Sequence, residues 1–159
     1  MPEQLQREKV NKIEVKDFEE LKLRIERCYK TTINDGVKIC FCHCDTYAPN
    51  WILTENEACL IDWEYAGNAD PGCDVGGYIM DAMWDVEQAK KFIEIYIGGN
   101  DEVLVNHYLA YVAIISYYWF VWALYRESKG AVMGESLHNW YVMAKRYSNY
   151  IDKERNIRE

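Results

Sequence analysis

Residues 43–50 read HCDTYAPN, residues 62–74 read DWEYAGNADPGCD, and an apolar segment with a polar centre lies between them. That segment has two short apolar runs, 51–54 and 58–61, separated by the polar turn 55–57. Two such runs around a short turn predict a β-hairpin. Because antiparallel pairing places the start of one strand beside the end of the next, we expect the two polar stretches to meet at one end of this hairpin.

The side chains that meet there have the chemistry of phosphoryl transfer. His43, Asp45 and Asn50 fit the spacing H-x-D-x-x-x-x-N. Asp62 follows after the hairpin, as the metal-binding aspartate follows the catalytic loop in protein kinases. A carboxylate such as Asp45 can orient a hydroxyl and accept its proton, and the oxygens of Asn50 and Asp62 suit Mg²⁺. The alternative interpretation is a surface loop that holds these residues because they favour turns.

On the N-terminal side of this stretch, the sequence predicts one helix and one strand. Residues 17–28 place their apolar side chains on one face of a helix, and Asp17 with Glu20 resembles a capping box at its start. The turn 34–36, Asn-Asp-Gly, ends this segment. Residues 37–42 form a short apolar run that predicts a strand.

On the C-terminal side, the pattern becomes helical. We expect four helices there: residues 75–83, residues 86–96 before Gly98-Gly99, a long helix capped by Asp101 that runs to about Ser128, and a last helix opened by Ser136. The predicted fold class is therefore α+β and mostly helical, with one small β-hairpin region in a single domain over residues 1–159.

The long helix contains no charged residue from Val103 to Tyr125, a length that can span a bilayer. Its interior, however, contains polar residues, five tyrosines and two tryptophans. Tyr and Trp favour the membrane interface over the bilayer centre. We therefore interpret it as a buried core helix rather than a membrane span, with four of its aromatic residues assigned to the core: Tyr117, Tyr118, Phe120 and Tyr125.

The composition is that of a folded domain with an acidic surface. Half of the residues are hydrophobic and 14% are aromatic, which excludes a disordered chain. The net charge of -8 argues against a nucleic-acid-binding surface, which would be basic. Cys40, Cys42 and Cys44 alternate along one segment, but the spacing typical of zinc sites is missing. Because no signal peptide is recognised, we expect reduced thiols and a cytoplasmic protein.

The stretch CHCDTYAPNWIL, continued by CLIDWEYAGNADPGCDVG, resembles the choline/ethanolamine kinase family, and in particular its bacterial LicA-like choline kinases within the aminoglycoside-phosphotransferase-like group. The run D-W-E-Y-A-G-N-x-D-P-x-x-D discriminates this family much better than the His-Asp-Asn pattern does. The resemblance continues through YYWFVWALYRESKG and covers roughly residues 38–150. It implies the C-terminal lobe of a protein-kinase-like fold and transfer of the γ-phosphoryl group of ATP to the hydroxyl of choline.

The same resemblance implies a role for each residue of the motif. Asp45 would be the catalytic base, and Asn50 and Asp62 would bind the Mg²⁺ that accompanies ATP. Glu64 would help to shape the metal or substrate site. His43 would support the loop by hydrogen bonding.

Choline is a quaternary ammonium ion without N–H donors, so its recognition depends on aromatic faces. Trp119 and Trp122 are three residues apart on a helix and share a face. They resemble the W-x-x-W pair that lines the choline pocket of the family. By the same resemblance, Asp81 would balance the charge of the cation, and Trp140 or Tyr141 would close the cage. The alternative is core packing, because aromatic residues on apolar helices are usually buried.

A complete kinase of this type also has an N-terminal lobe with a phosphate-covering loop and a lysine. The residues up to Gly36 contain neither G-x-G-x-x-G nor a V-A-I-K-like strand. We therefore expect that lobe to be absent from this chain, or supplied by another chain or an oligomer, and transfer by the chain alone to be weak or absent. Two alternatives stay open: a phosphotransferase for ethanolamine or an aminoglycoside, and a non-catalytic choline-binding module.

Overall fold

The structure is a computed structural model that describes residues 15–158, and this range contains five α-helices and four short β-strands. The helices are α1 (Phe18–Thr32), α2 (Gly72–Asp81), α3 (Val86–Ile97), α4 (Glu102–Ser128) and α5 (Glu135–Arg158). The strands are β1 (Cys40–Cys42), β2 (Trp51–Leu53), β3 (Ala58–Leu60) and β4 (Gly67–Ala69). The α+β, mostly helical class predicted from the sequence is confirmed.

The strands form two separate antiparallel pairs that frame one loop. β2 pairs with β3 in the predicted hairpin. β1 pairs with β4, and the strand predicted over residues 37–42 forms only in its last three residues. Since β1 ends at Cys42 and β2 begins at Trp51, the two pairs hold residues 43–50 between them.

α4 is the central helix of the fold. It packs against α1, α2, α3 and α5, and its buried residues extend from Val105 to Ala123. By length and composition alone α4 could cross a membrane, but in this fold the other helices cover much of its apolar surface. The assignment of two aromatic residues to the core is wrong. Tyr118 and Tyr125 are 58% and 59% exposed, because they lie on the solvent face of α4.

The predicted ends of α3 and α4 agree with the structure. Asp101 accepts hydrogen bonds from the N–H groups of Val103 and Leu104 at 2.9 and 3.2 Å, and so caps α4. Gly98 has a φ of 70° and ends α3 in the left-handed conformation that glycine adopts without strain. α5 begins at Glu135, one residue before its predicted start.

The capping box predicted at the start of α1 is wrong. The Asp17 carboxylate makes no cap and instead accepts hydrogen bonds from Tyr141 Oη at 2.6 Å and Lys145 Nζ at 2.5 Å. The bond from Lys145 is the main reason why the pKa of Asp17 is lowered. Glu20 forms an ion pair with Arg24. A charge-assisted bond to α5 is stronger than the bond to a neutral backbone N–H, so the tertiary contact replaces the local cap.

The contact between α2 and α4 depends on two glycines. A Cβ at Gly72 would lie 2.3 Å from the ring of Tyr111, and a Cβ at Gly76 would lie 2.9 Å from the Tyr111 backbone. The Cβ and backbone of Tyr111 are held within α4, so a side chain at either glycine cannot be accommodated without moving a helix. Because α2 also carries Asp74, this close contact positions the loop described below.

Gly76→Ala is expected to lower the free energy of unfolding by about 2 to 3 kcal/mol, because the added methyl group overpacks the α2–α4 contact. Chemical denaturation followed by circular dichroism measures the change. Gly99→Ala is the matched control, since the space around the Gly99 Cβ position is open, and it should change stability by less than about 0.5 kcal/mol. Equal stability of the Gly76→Ala and Gly99→Ala variants would contradict the packing argument.

Candidate active site

Asp74, in the first turn of α2, anchors the loop of residues 43–50. Its Oδ2 accepts a hydrogen bond from the His43 N–H at 2.8 Å, and its Oδ1 accepts one from the Cys44 N–H at 2.7 Å. The Thr46 hydroxyl donates to the Asp74 backbone carbonyl at 2.8 Å. Cys44 has a φ of 65°, a conformation that costs energy in a residue other than glycine. The bonds from Asp74 offset that cost and keep the loop in one shape.

His43 joins this loop to the hairpin. Its side chain is buried, its Nε2 lies 2.8 Å from the Ile61 carbonyl oxygen, and its Nδ1 accepts a bond from the Asp45 N–H at 3.3 Å. A ring nitrogen that accepts carries no hydrogen, so Nε2 is the donor and the ring is neutral. The edge of the ring also contacts Trp63, with 4.7 Å between centroids. His43 thus orients the backbone on both sides of the site.

Asp45 and Asn50 contact each other across the loop. Asn50 Nδ2 donates to the Asp45 backbone oxygen at 2.9 Å and to Asp45 Oδ2 at 3.0 Å. Both amide hydrogens are therefore used, and Asn50 Oδ1 is left to act as an oxygen ligand. The Ile61 N–H donates to the Asn50 backbone oxygen at 2.9 Å. This bond brings the next residue, Asp62, to the same end of the hairpin as Asn50.

Asn50 and Asp62 fit a Mg²⁺ ion by the chemistry of their donors. Both side chains offer hard oxygen atoms, and the Asp62 residue is exposed. Mg²⁺ is commonly held by one or two protein ligands together with waters and phosphate oxygens. Among the described residues 15–158, no three His, Cys, Asp or Glu side chains are grouped to hold a metal by themselves. A Mg²⁺ ion held by Asn50 and Asp62 would therefore need water or phosphate oxygens to complete its coordination.

A cavity of about 330 Å³ opens beside Asp45. We call it the tryptophan cavity, because Trp119 and Trp122 of α4 and Trp140 of α5 line it together with Asp45 and Glu64. The ring centroids of Trp119 and Trp122 are 5.4 Å apart, and those of Trp119 and Trp140 are 5.8 Å apart. Three aromatic rings and two carboxylates thus share one small-molecule-sized space.

The charge of the tryptophan cavity favours a cation. Asp45 and Glu64 are the charged side chains among the described residues that line it. The carboxylate of Glu64, together with burial and the charge of Asp45, raises the pKa of the Tyr65 phenol. A raised phenol pKa is the expected effect of a negative local potential. Negative potential combined with aromatic faces suits an organic cation.

Comparisons with known proteins identify the family that has this site. The sequence model of the phosphotransferase enzyme family matches residues 2–110, more than half of the chain. The chain belongs to the phosphotransferase enzyme family. Protein LicA of Haemophilus influenzae is 27% identical over 110 residues, which are 65% of this chain and 41% of LicA. The resemblance to LicA-like choline kinases that the motifs indicated is thereby confirmed.

Solved structures show the same fold as this phosphotransferase. The choline kinase LicA from Streptococcus pneumoniae matches with a TM-score of 0.72 at 22% identity, over 91% of this chain and 52% of that one. A choline/ethanolamine kinase family protein from Mesorhizobium loti matches with a TM-score of 0.71 at 16% identity, over 92% of this chain and 55% of that one. The choline-kinase-like fold is confirmed. The chain spans about half the length of these relatives.

In this phosphotransferase Asp81 lies apart from the three tryptophans, contrary to the expected cage. It lines a separate cavity of about 810 Å³, where its Oδ2 accepts the Ala48 N–H at 2.8 Å and burial raises its pKa. Gly77 and Met80 of α2 line the tryptophan cavity, whereas Tyr78 and Asp81 line the larger cavity.

Of the two candidates on α5, Trp140 lines the tryptophan cavity and Tyr141 does not. The Tyr141 hydroxyl donates to Asp17, and its ring packs on Phe120 with 5.2 Å between centroids. Consecutive helical residues point about 100° apart, so only one of this pair can face the cavity. Tyr141 instead fastens α5 to the start of α1.

The tryptophan cavity of the phosphotransferase is also lined by residues that were not predicted, among them Tyr65, Met133 and Ser136. Tyr65 follows Glu64 in the D-W-E-Y run, so the motif contained a signal for it. Met133 lies in the connection between α4 and α5, and Ser136 lies in the first turn of α5. Their positions depend on how these two helices pack, which no local pattern indicates.

The six cysteines are free thiols. The sulfur atoms of Cys40 and Cys42 are 3.6 Å apart on β1. Burial raises the pKa of the thiols of Cys42 and Cys44, and it raises that of Cys73 to about 12. Since the thiolate is the nucleophile in cysteine chemistry, these three thiols are unreactive at neutral pH. We assign none of them a chemical role.

Proposed function

We propose that this chain is the catalytic and acceptor-binding half of an ATP- and Mg²⁺-dependent kinase that phosphorylates the hydroxyl of choline. The observation that carries the proposal is the tryptophan cavity, in which Trp119, Trp122 and Trp140 share one space with the Asp45 carboxylate. An aromatic cage suits the trimethylammonium head, and a carboxylate in the same space suits the hydroxyl. The relatives named choline kinase support this choice of acceptor.

The proposed reaction follows from the position of Asp45. The choline hydroxyl, oriented by the Asp45 carboxylate, attacks the γ-phosphorus of ATP and forms a new P–O bond. The bond from the γ-phosphorus to the bridging oxygen breaks, ADP leaves with that electron pair, and Asp45 takes the hydroxyl proton. Mg²⁺, when bound, neutralises charge on the phosphates. Asn50 holds the Asp45 carboxylate at 3.0 Å, which fixes the base before the substrate arrives.

We further propose that ATP binds on the exposed side of the hairpin, next to the metal ligands. Two apolar side chains there remain exposed, Ile52 and Ile61. Exposed apolar groups beside a polar site are typical of a surface that a ligand or partner covers. Solved relatives about twice as long include a LicA complex with AMP. We propose that the part of those relatives that this chain does not span covers the bound ATP. We also propose a cytoplasmic location, which the use of ATP and the free thiols support.

Choline is expected to quench the tryptophan fluorescence of the folded chain with saturation, because its cation would sit against three of the six tryptophans. Ethanolamine is also a cation, but its smaller ammonium carries N–H donors that an aromatic cage leaves without acceptors, so it is expected to bind at least about tenfold more weakly. Equilibrium titration at constant ionic strength measures both.

Trp122→Ala should remove the choline response, whereas Tyr125→Ala should leave it unchanged. Tyr125 is an aromatic residue on the same helix but is exposed and outside the cavity. Circular dichroism first establishes that each variant is folded. Equal affinities for choline and ethanolamine would favour the ethanolamine alternative. No response to choline from the folded chain would count against the cage.

A further inference from the structure

His107 is buried between two carboxylates that the reaction does not use. Its Nδ1 lies 3.1 Å from Asp35 Oδ2 and its Nε2 lies 3.0 Å from Asp70 Oδ1. The histidine side chain is fully buried, and the two aspartate side chains are 18% and 12% exposed. The three residues come from three places in the chain: the turn after α1, the end of β4 before α2, and α4. They form one polar cluster where the turn after α1 and the start of α2 meet α4.

The geometry of this cluster restricts its protonation. An ionised carboxylate accepts hydrogen bonds and donates none, so both contacts are hydrogen bonds only when both ring nitrogens carry hydrogen. A neutral His107 ring would direct a nitrogen lone pair at one carboxylate oxygen, away from water. An unpaired charge in such a place is costly. Both Asp35 and Asp70 therefore favour the imidazolium form of His107.

The ion pairs of this ring are those with Asp35 and Asp70. The titratable groups packed around the cluster are phenols and a thiol: Tyr108 and Tyr111 on α4, Tyr29 on α1 and Cys73 on α2. Burial raises the pKa of Tyr108, Tyr111 and Cys73, so these three groups stay neutral over the range where histidine titrates. Asp35 and Asp70 are thus the charged groups that favour a protonated His107 ring.

Hydrogen bonds at both ends of the first turn of α2 connect His107 to the active-site loop. Asp70 Oδ1, which faces His107, also accepts the Gly72 N–H at 2.8 Å at the first residue of α2. Two residues further along the same turn, the Asp74 carboxylate holds the backbone N–H groups of His43 and Cys44. The position of the first turn of α2 therefore sets the position of the loop that contains the proposed base.

We propose that His107 is a positioning residue, held as an imidazolium between Asp35 and Asp70, which fixes the first turn of α2 and through it the loop of Asp45. It pulls the turn after α1 and the start of α2 toward α4 by two charge-assisted hydrogen bonds. Only the consequence for the base depends on the proposed function. The clamp itself is a property of the folded chain.

Nitrogen-15 NMR of the histidine-labelled chain tests the protonation directly near neutral pH. The expected result is two protonated ring nitrogens in His107. The other two histidines serve as internal references, because His43 is the neutral ring with a single N–H and His138 is exposed. A His107 ring with one protonated nitrogen overturns the proposal. The wild-type chain suffices for this measurement, so no variant has to fold.

The positioning effect is tested at the amides of His43 and Cys44. In His107→Gln, exchange of both amide hydrogens should be at least about tenfold faster, and His138→Gln should leave it unchanged. Unchanged exchange of both amides in a folded His107→Gln variant overturns the positioning role.

These readouts involve neither choline nor ATP. A folded chain with an intact imidazolium clamp but no choline response would contradict the proposed function alone. A chain that binds choline while His107 is singly protonated would contradict this inference alone.

Discussion

Asp45→Asn is expected to reduce kcat for choline phosphorylation by about 10²- to 10⁴-fold, because the amide cannot accept the hydroxyl proton. The substitution keeps the shape of the loop, since an asparagine oxygen can still accept the bond that Asn50 Nδ2 donates to Asp45 Oδ2 at 3.0 Å. The chain alone is expected to be a weak kinase, so the rate is measured in a two-lobed protein that contains this chain as its second half.

Binding should change much less than turnover. Glu64 still lines the cavity in this variant, so the Kd of choline for the purified chain should stay within about tenfold of the original value, as expected for a group that acts mainly in the transition state. A variant that keeps its turnover would eliminate Asp45 as the base. A two-lobed protein that binds choline but never turns it over, even with Asp45 intact, would support the non-catalytic binding module.

Asp74→Ala is expected to lower the free energy of unfolding by about 3 kcal/mol and to abolish the choline response. The change leaves the backbone N–H groups of His43 and Cys44 without their acceptor, and each orphaned donor costs about 1 to 3 kcal/mol. Cys44 also loses the bond that holds its left-handed backbone at a φ of 65°. The loop that carries Asp45 would then leave the tryptophan cavity. Chemical denaturation and fluorescence titration measure the two effects.

Asp101→Ala is the matched control for this prediction. The Asp101 carboxylate also accepts two backbone N–H bonds, but it does so at the exposed start of α4, away from the cavity. Loss of such a cap costs about 1 kcal/mol, and the choline response should be unchanged. If Asp74→Ala and Asp101→Ala behave alike in both measurements, Asp74 is an ordinary helix cap and does not anchor the site.

Features that depend on neighbours in sequence could be predicted well. The hairpin of β2 and β3, the cap at Asp101 and the left-handed end of α3 at Gly98 each follow from a few adjacent residues. Trp119 and Trp122 were expected on one face of a helix, and the spacing of three residues alone ensures this. Each of these features is decided within a turn or two of backbone, so packing elsewhere had no influence on it.

Features that depend on packing between helices could not be predicted in the same way. From the sequence we expected Asp81 to lie beside the tryptophans. In the structure Asp81 lines the larger cavity of about 810 Å³ and the three tryptophans line the smaller one. Asp17 does not form the expected cap, because its carboxylate instead accepts hydrogen bonds from Tyr141 and Lys145. These residues are 124 and 128 positions away in the chain. Local propensities of this kind contribute about 1 kcal/mol, so a tertiary charge-assisted bond readily overrides them.

The sequence by itself determined that Asn50 and Asp62 lie at the same end of the hairpin, because antiparallel strands joined by a short turn place the start of one beside the end of the other. Only the tertiary structure decided which groups share the tryptophan cavity and which polar groups are buried together. His107 lies 72 residues from Asp35 and 37 residues from Asp70. Contacts over such separations arise when whole helices pack by shape and exclude water, and no short run of residues encodes that outcome.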